Sequence, residues 1–72
     1  MKITEERLLN WFTYHPPLPE QIPAYEELRA AGLEFARTII RLTPPSADQS
    51  VAIRKIRESV MAANSAIACQ GQ

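Results

Sequence analysis

The sequence holds one cysteine, Cys69, and one histidine, His15. A lone cysteine makes no internal disulfide, and the pair falls short of the four nitrogen or sulfur ligands of a structural zinc site. No acidic cluster recurs at metal-binding spacing, so no metal is expected. Charge of one sign is missing too, because eight basic and eight acidic residues cancel. That balance argues against bulk electrostatic binding to DNA or RNA, which relies on neutralising many phosphates. It leaves room for a small anion in a local basic pocket. No stretch reaches the roughly 20 apolar residues of a membrane span. Residues 1–12, with Glu5 and Glu6, lack the apolar core of a signal peptide. A single free thiol suits a reducing cytoplasm. No nucleophile stands at a known spacing from a base, so neither an enzyme nor a cofactor is expected. At 72 residues the chain is read as one domain, 1–72. Below roughly 70–80 residues a core rarely suffices alone, and disulfides, metals or oligomerisation supply the rest. With the first two excluded, self-association remains.

What the sequence does hold is helical periodicity. Residues 1–12 carry one short helix, capped by Thr4 and favoured at its positive end by Glu5 and Glu6. Leu8, Leu9, Trp11 and Phe12 form its apolar side. Under roughly 12–15 residues a helix is marginal in water, so this one must dock. Pro16, Pro17 and Pro19 then forbid helix and make a rigid, extended elbow over 13–19. Pro19 suits the first turn of the next helix. Pro23 leaves two alternatives, a start near Ile22 or an irregular first turn. Tyr25, Leu28, Gly32, Phe35, Ile39 and Leu42 alternate spacings of three and four, a heptad seam. Gly32 within it costs about 1 kcal/mol against alanine, which implies a close approach by a neighbour. Thr43-Pro44-Pro45 stops the helix. Ser46 and Gln49 form a capping box for a third helix, with Asp48 in its first turn. Ile53, Ile56, Val60, Ala63 and Ile67 make its seam. Ala52, Ser59, Ala62 and Ala66 make a second, small-residue stripe, so neighbours are expected on two sides. Gly71 is a stop signal. The fold class is all-α: a short N-terminal helix, a proline-rich elbow, and an antiparallel two-helix hairpin that assembles into a homo-oligomer.

Several residues invite a chemical reading beside a plainer one. Tyr14 and His15 sit on the elbow, where rings are pre-organised to stack on a flat base, worth roughly 1–3 kcal/mol per base. Alternatively Tyr14 staples the elbow to the hairpin. Arg29 flanks the seam, where its fork of donors could reach a phosphate, or it pairs with Glu26 on the surface. Glu34 can pair with Arg37. Arg54, Lys55 and Arg57 form a basic run that is either a solvated face or an anion pocket between copies. Asn64, a poor helix former in mid-helix, could hydrogen-bond across an interface. Trp11 and Phe12 read as core or interface anchors.

Five segments in order carry a resemblance that no one of them carries alone. They are Phe12-Thr13-Tyr14-His15-Pro16-Pro17, Pro19-Glu20-Gln21, Tyr25-Glu26-Glu27-Leu28-Arg29, Thr43-Pro44-Pro45-Ser46, and the run from Arg57 to Ala68. Together they resemble the phage anti-CBASS cyclic-oligonucleotide sponge, a family that shares a helical hairpin domain with a Thoeris anti-defence sponge. The resemblance implies a non-catalytic homohexamer in the cytoplasm of the infected bacterial host. Such a protein binds cyclic dinucleotides such as cGAMP between protomers and withholds them from the immune effector; some members also bind cyclic trinucleotides in separate pockets. Carried over by position, the base-stacking tyrosine falls on Tyr14 and the phosphate-contacting residue on Arg29. His15 and Thr13 neighbour the stacking ring, and Arg57 is the candidate for the trinucleotide pocket. A different class of function, a hairpin adaptor binding another protein through Trp11 and Phe12, stays open.

Overall fold

The computed structural model describes all residues 1–72. It contains α1 (Glu5–Trp11), a single 3₁₀ turn (Pro19–Gln21), α2 (Ile22–Leu42) and α3 (Ala47–Ala68), with no strand. No helix is long and apolar enough to cross a membrane.

Each boundary has a local cause. The Thr4 hydroxyl accepts from the Arg7 amide at 3.2 Å and starts α1, with Glu5 and Glu6 in the first turn. The Thr13 hydroxyl donates back to the Leu9 carbonyl as that helix ends. Leu18 is extended, as a residue before proline must be. Both alternatives at Pro23 turn out to hold: a 3₁₀ turn comes first, and α2 proper begins at Ile22. Pro23 is then the second helical residue, where a missing amide leaves no intrahelical bond unmade.

The turn between α2 and α3 departs from a full capping box. Ser46 does accept from the Gln49 amide, at 3.1 Å. The Gln49 side chain does not return the bond; it crosses the turn and donates to the carbonyl and hydroxyl of Thr43, both at 3.1 Å. One side chain thereby ties the start of α3 to the end of α2. At the far end, Gly71 N–H reaches the Ala66 carbonyl and Gln70 N–H the Ile67 carbonyl, a Schellman closure. The left-handed position before Gly71 is held by Gln70, at φ 55°.

Gly32 governs how α2 meets α3. A methyl group there would stand 2.8 Å from Val60 Cγ2 and 3.7 Å from Ile56 Cγ2. The predicted close approach is therefore made by Val60. Gly32, Ile56 and Val60 line an apolar groove on each side of the hairpin, so they are the wall between the two. Side by side, two helices shield only the stripe between them. Ile56 is the one residue classed as buried, at 9% exposure. Phe35 and Leu42, read into the seam, are 58% and 66% exposed. An α-helix turns 3.6 residues per turn, so a strict seven-residue repeat drifts off the contact line. The surface is 5911 Å², against about 4500 Å² for a compact protein of 8.1 kDa.

Gly32→Ala tests the close approach. Alanine favours the helix by about 1 kcal/mol, but β-branched Val60 has little freedom to yield, and overpacking costs about 1–3 kcal/mol. A lower melting temperature is expected, by roughly 4–8 °C per kcal/mol lost, with partial recovery in Gly32→Ala/Val60→Ala. Calorimetric melting above that of the parent protein would contradict the contact.

Candidate ligand-binding site

The last turn of α3 holds no basic residue, yet its carbonyls lack intrahelical donors. Three side chains from upstream supply N–H groups at this end and just beyond it. Asn10 Nδ2 donates to the Cys69 carbonyl at 3.3 Å, Trp11 Nε1 to Gln72 at 3.0 Å, and Gln21 Nε2 to Ile67 at 3.2 Å. These bonds dock the short α1 and the elbow onto the end of the hairpin. His15 closes the loop: its Nε2 lies 2.7 Å from the Asn10 carbonyl. A carbonyl only accepts, so Nε2 carries the hydrogen. No hydrogen bond engages Nδ1, which stays open on this half-buried ring. The Thr13 hydroxyl is directed to the Leu9 carbonyl.

Tyr14 lies between these ties and is 82% exposed. It staples nothing within the chain. Its neighbour Phe12 is 85% exposed, while Trp11 is half-buried.

The second cluster lies on the hairpin. Arg29 and Arg57 line one groove of about 350 Å³ together with Leu33, Ala36, Ile53 and Met61. Neither guanidinium has a carboxylate within 4.0 Å, since the molecule holds a single ion pair, Arg37–Glu34 at 3.2 Å. That pair is the one expected from spacing; Glu26 and Arg29 do not meet. The opposite groove, about 530 Å³, runs between Leu28, Ala31 and Phe35 on α2 and Ala52, Lys55 and Ser59 on α3. The basic run is thus split, with Arg57 on one face and Lys55 on the other. Asn64 Oδ1 is shielded from solvent and has no partner within the chain.

The fold brings Arg29 and Arg57 together and ties His15 and Thr13 into the elbow. Tyr14 shares no principal cavity with either arginine. Two features escaped the sequence reading. The shared groove of Arg29 and Arg57 depends on the register set at Gly32, which no spacing within one helix reveals. Gln21 and Asn10 as donors to α3 could have been suspected from the absence of a basic residue in its last turn.

The family described as Acb2/Tad1, hairpin domain, matches residues 4–68. That span runs from the cap of α1 to the last residue of α3. No curated protein and no solved structure matches the chain. A short docked helix, a proline elbow and a close-packed hairpin fall within a match over nine-tenths of the sequence, so the chain belongs to the Acb2/Tad1 hairpin-domain family, the anti-CBASS and anti-Thoeris sponges.

Proposed function

We propose that this chain is a non-catalytic sponge for cyclic oligonucleotide messengers, chiefly cyclic dinucleotides such as cGAMP. It acts in the cytoplasm of the infected bacterium, where it keeps the messenger from CBASS effectors. The observation that carries this reading is an exposed, unpartnered Tyr14 on an anchored elbow, in a chain of the sponge family. Tyr14 stacks on a base of the ligand, and Arg29 forks onto a phosphate. His15, through its open Nδ1, and Thr13 border the stacked base. Arg57 is the candidate for cyclic trinucleotide contacts, although within one chain it lines the same groove as Arg29.

Tyr14 and Arg29 share none of the principal cavities within one chain, and the pocket that would contain both is read as one built from two copies. A cyclic dinucleotide has near two-fold symmetry, and a two-fold pair of protomers offers two rings and two forks. The surface favours such assembly. It exceeds that of a compact chain by roughly 1400 Å², more than the approximately 800 Å² each partner buries in a standard interface. A homohexamer of the one domain satisfies this. The second reading, an adaptor that docks on another protein, is favoured by the 85% exposure of Phe12.

Titration calorimetry with 3′,3′-cGAMP separates the two readings. Nanomolar binding is expected, and the messenger is recovered intact after heat denaturation. Absence of heat with any cyclic nucleotide favours the adaptor; a consumed messenger indicates an enzyme. Light scattering is expected to give six times 8.1 kDa, and a folded monomer at micromolar concentration removes the shared pocket.

Substitutions sharpen the assignment. Tyr14→Ala is expected to weaken dinucleotide binding tenfold or more, given roughly 1–3 kcal/mol per stacked base, with the mass unchanged. If the assembly disperses instead, Tyr14 is structural. Arg29→Ala is expected to lose about 1.5–3 kcal/mol, as for a hydrogen bond to a charged group, and the loss shrinks as salt rises. An unchanged affinity moves the phosphate contact elsewhere. Arg57→Ala is expected to weaken trinucleotide binding more than dinucleotide binding, with the two affinities compared by calorimetry.

A further inference from the structure

We infer that Gln21 is the positioning residue for Tyr14, fixing the direction in which the elbow presents the ring; this rests on the reading of Tyr14 as the base-stacking group. Residues 14–17 make no backbone–backbone hydrogen bond. Pro16 and Pro17 stiffen this stretch but do not aim it, because proline fixes a dihedral and not a direction relative to the rest of the molecule. The aim must come from side chains.

Thr13 holds the near side of Tyr14 to α1 through the Leu9 carbonyl, and two further ties come from residues that follow the ring. His15 ties it to α1 through the Asn10 carbonyl. Gln21 ties it to the hairpin and uses both ends of its amide. Oε1 accepts from the Leu18 N–H at 3.0 Å, and Nε2 donates to the Ile67 carbonyl at 3.2 Å. No other hydrogen bond links the stretch 13–21 to α3. The Ile67 carbonyl also accepts from Gln70 N–H at 3.1 Å, which occupies its second lone pair and pins the acceptor in place.

The chemistry of the position is demanding. One side chain must accept from one backbone and donate to another. Glutamate could accept from Leu18 but has no hydrogen for Ile67, and its charge would face the negative end of α3. Leucine could do neither. Free of these bonds, the elbow would have to be ordered when the ligand arrives, and that ordering opposes binding.

The test is a mutant cycle on the whole chain, read by calorimetry with 3′,3′-cGAMP and by amide hydrogen exchange across 13–20. Gln21→Glu keeps the arm to Leu18, and hence the start of α2, while losing the arm to Ile67. It is expected to weaken binding by about tenfold, the order of ordering cost for an immobilised side chain. Gln21→Leu is expected to weaken it further, with faster exchange at Tyr14 and His15. In a Tyr14→Ala background, Gln21→Leu is expected to add no further loss, because the residue acts through the ring. A parent protein that binds while both Gln21 variants bind equally tightly overturns the inference alone. So does a full additional loss in the Tyr14→Ala background, which assigns Gln21 a general structural role. A parent protein that takes up no cGAMP overturns the sponge reading, and this inference with it.

Discussion

At Gly32 a single added methyl would press against Val60 at 2.8 Å, and that contact sets the register of α2 on α3. Backbones that close cannot slide past one another without pushing a side chain into the gap. The register then decides which flanking residues share a face. Arg29 and Arg57 fall on one side, Lys55 on the other. It also limits what the hairpin can bury. Ile56 and Val60 form a wall one layer thick, with apolar side chains left open on both faces. A two-helix unit of this kind has no third element to cover Leu33 and Met61 or Phe35 and Ala31. These open apolar faces follow from the geometry of two cylinders, before any ligand is considered.

The other end of the molecule is organised by an electrostatic deficit. The carbonyls at the end of α3 carry the negative pole of the helix and meet no basic side chain in the last turn. Neutral N–H donors from Gln21 and Asn10 answer those of Ile67 and Cys69 instead, and Trp11 holds Gln72 just beyond the helix. Each such bond contributes modestly, about 0.5–1.5 kcal/mol, but their distribution is what counts. They come from α1 and from the 3₁₀ turn, on either side of the proline elbow. A segment too short to fold alone and a loop without backbone bonds are both referred to one rigid frame, and Tyr14 stands at the centre of the segment so held.

Much of this was legible in the sequence, and the unread parts share a cause. Thr4, Ser46, Pro19 and Pro44 act within a turn of their own position, so their roles at helix ends could be read directly. The role of Gly32 could be read as well, because a glycine in a seam needs a reason. Phe35 lines the open groove beside the wall and Leu42 lies exposed beyond it, because a heptad pattern presumes a partner along its whole length, while a lone hairpin shelters only a narrow stripe. Gln49 was half right: its amide reached the partner helix in place of its own cap. The sequence hinted at a need for donors such as Gln21 but not at its acceptor, and the groove shared by Arg29 and Arg57 could not be read at all. Both depend on residues more than 25 positions apart, and no local rule encodes that distance. The order of five short segments, by contrast, carried the family, because a shared fold preserves spacing even where no single motif is specific.

Formal neutrality is compatible with anion binding here because the opposing charges are kept apart. Seven of the eight lysines and arginines make no ion pair, and the one that does, Arg37, meets an exposed Glu34. An exposed pair of this kind contributes a few tenths of a kcal/mol and leaves the rest of the field undisturbed. Arg29 and Arg57 stand beside apolar side chains, where burial of the groove by a second copy would lower the local dielectric and strengthen their attraction for phosphate. Burying them empty would be unfavourable, since two guanidiniums would then lose water and gain nothing in return. In the proposed assembly an anion between the members would offset that cost. In the proposed sponge, the ligand and the contact between copies favour each other for the same electrostatic reason.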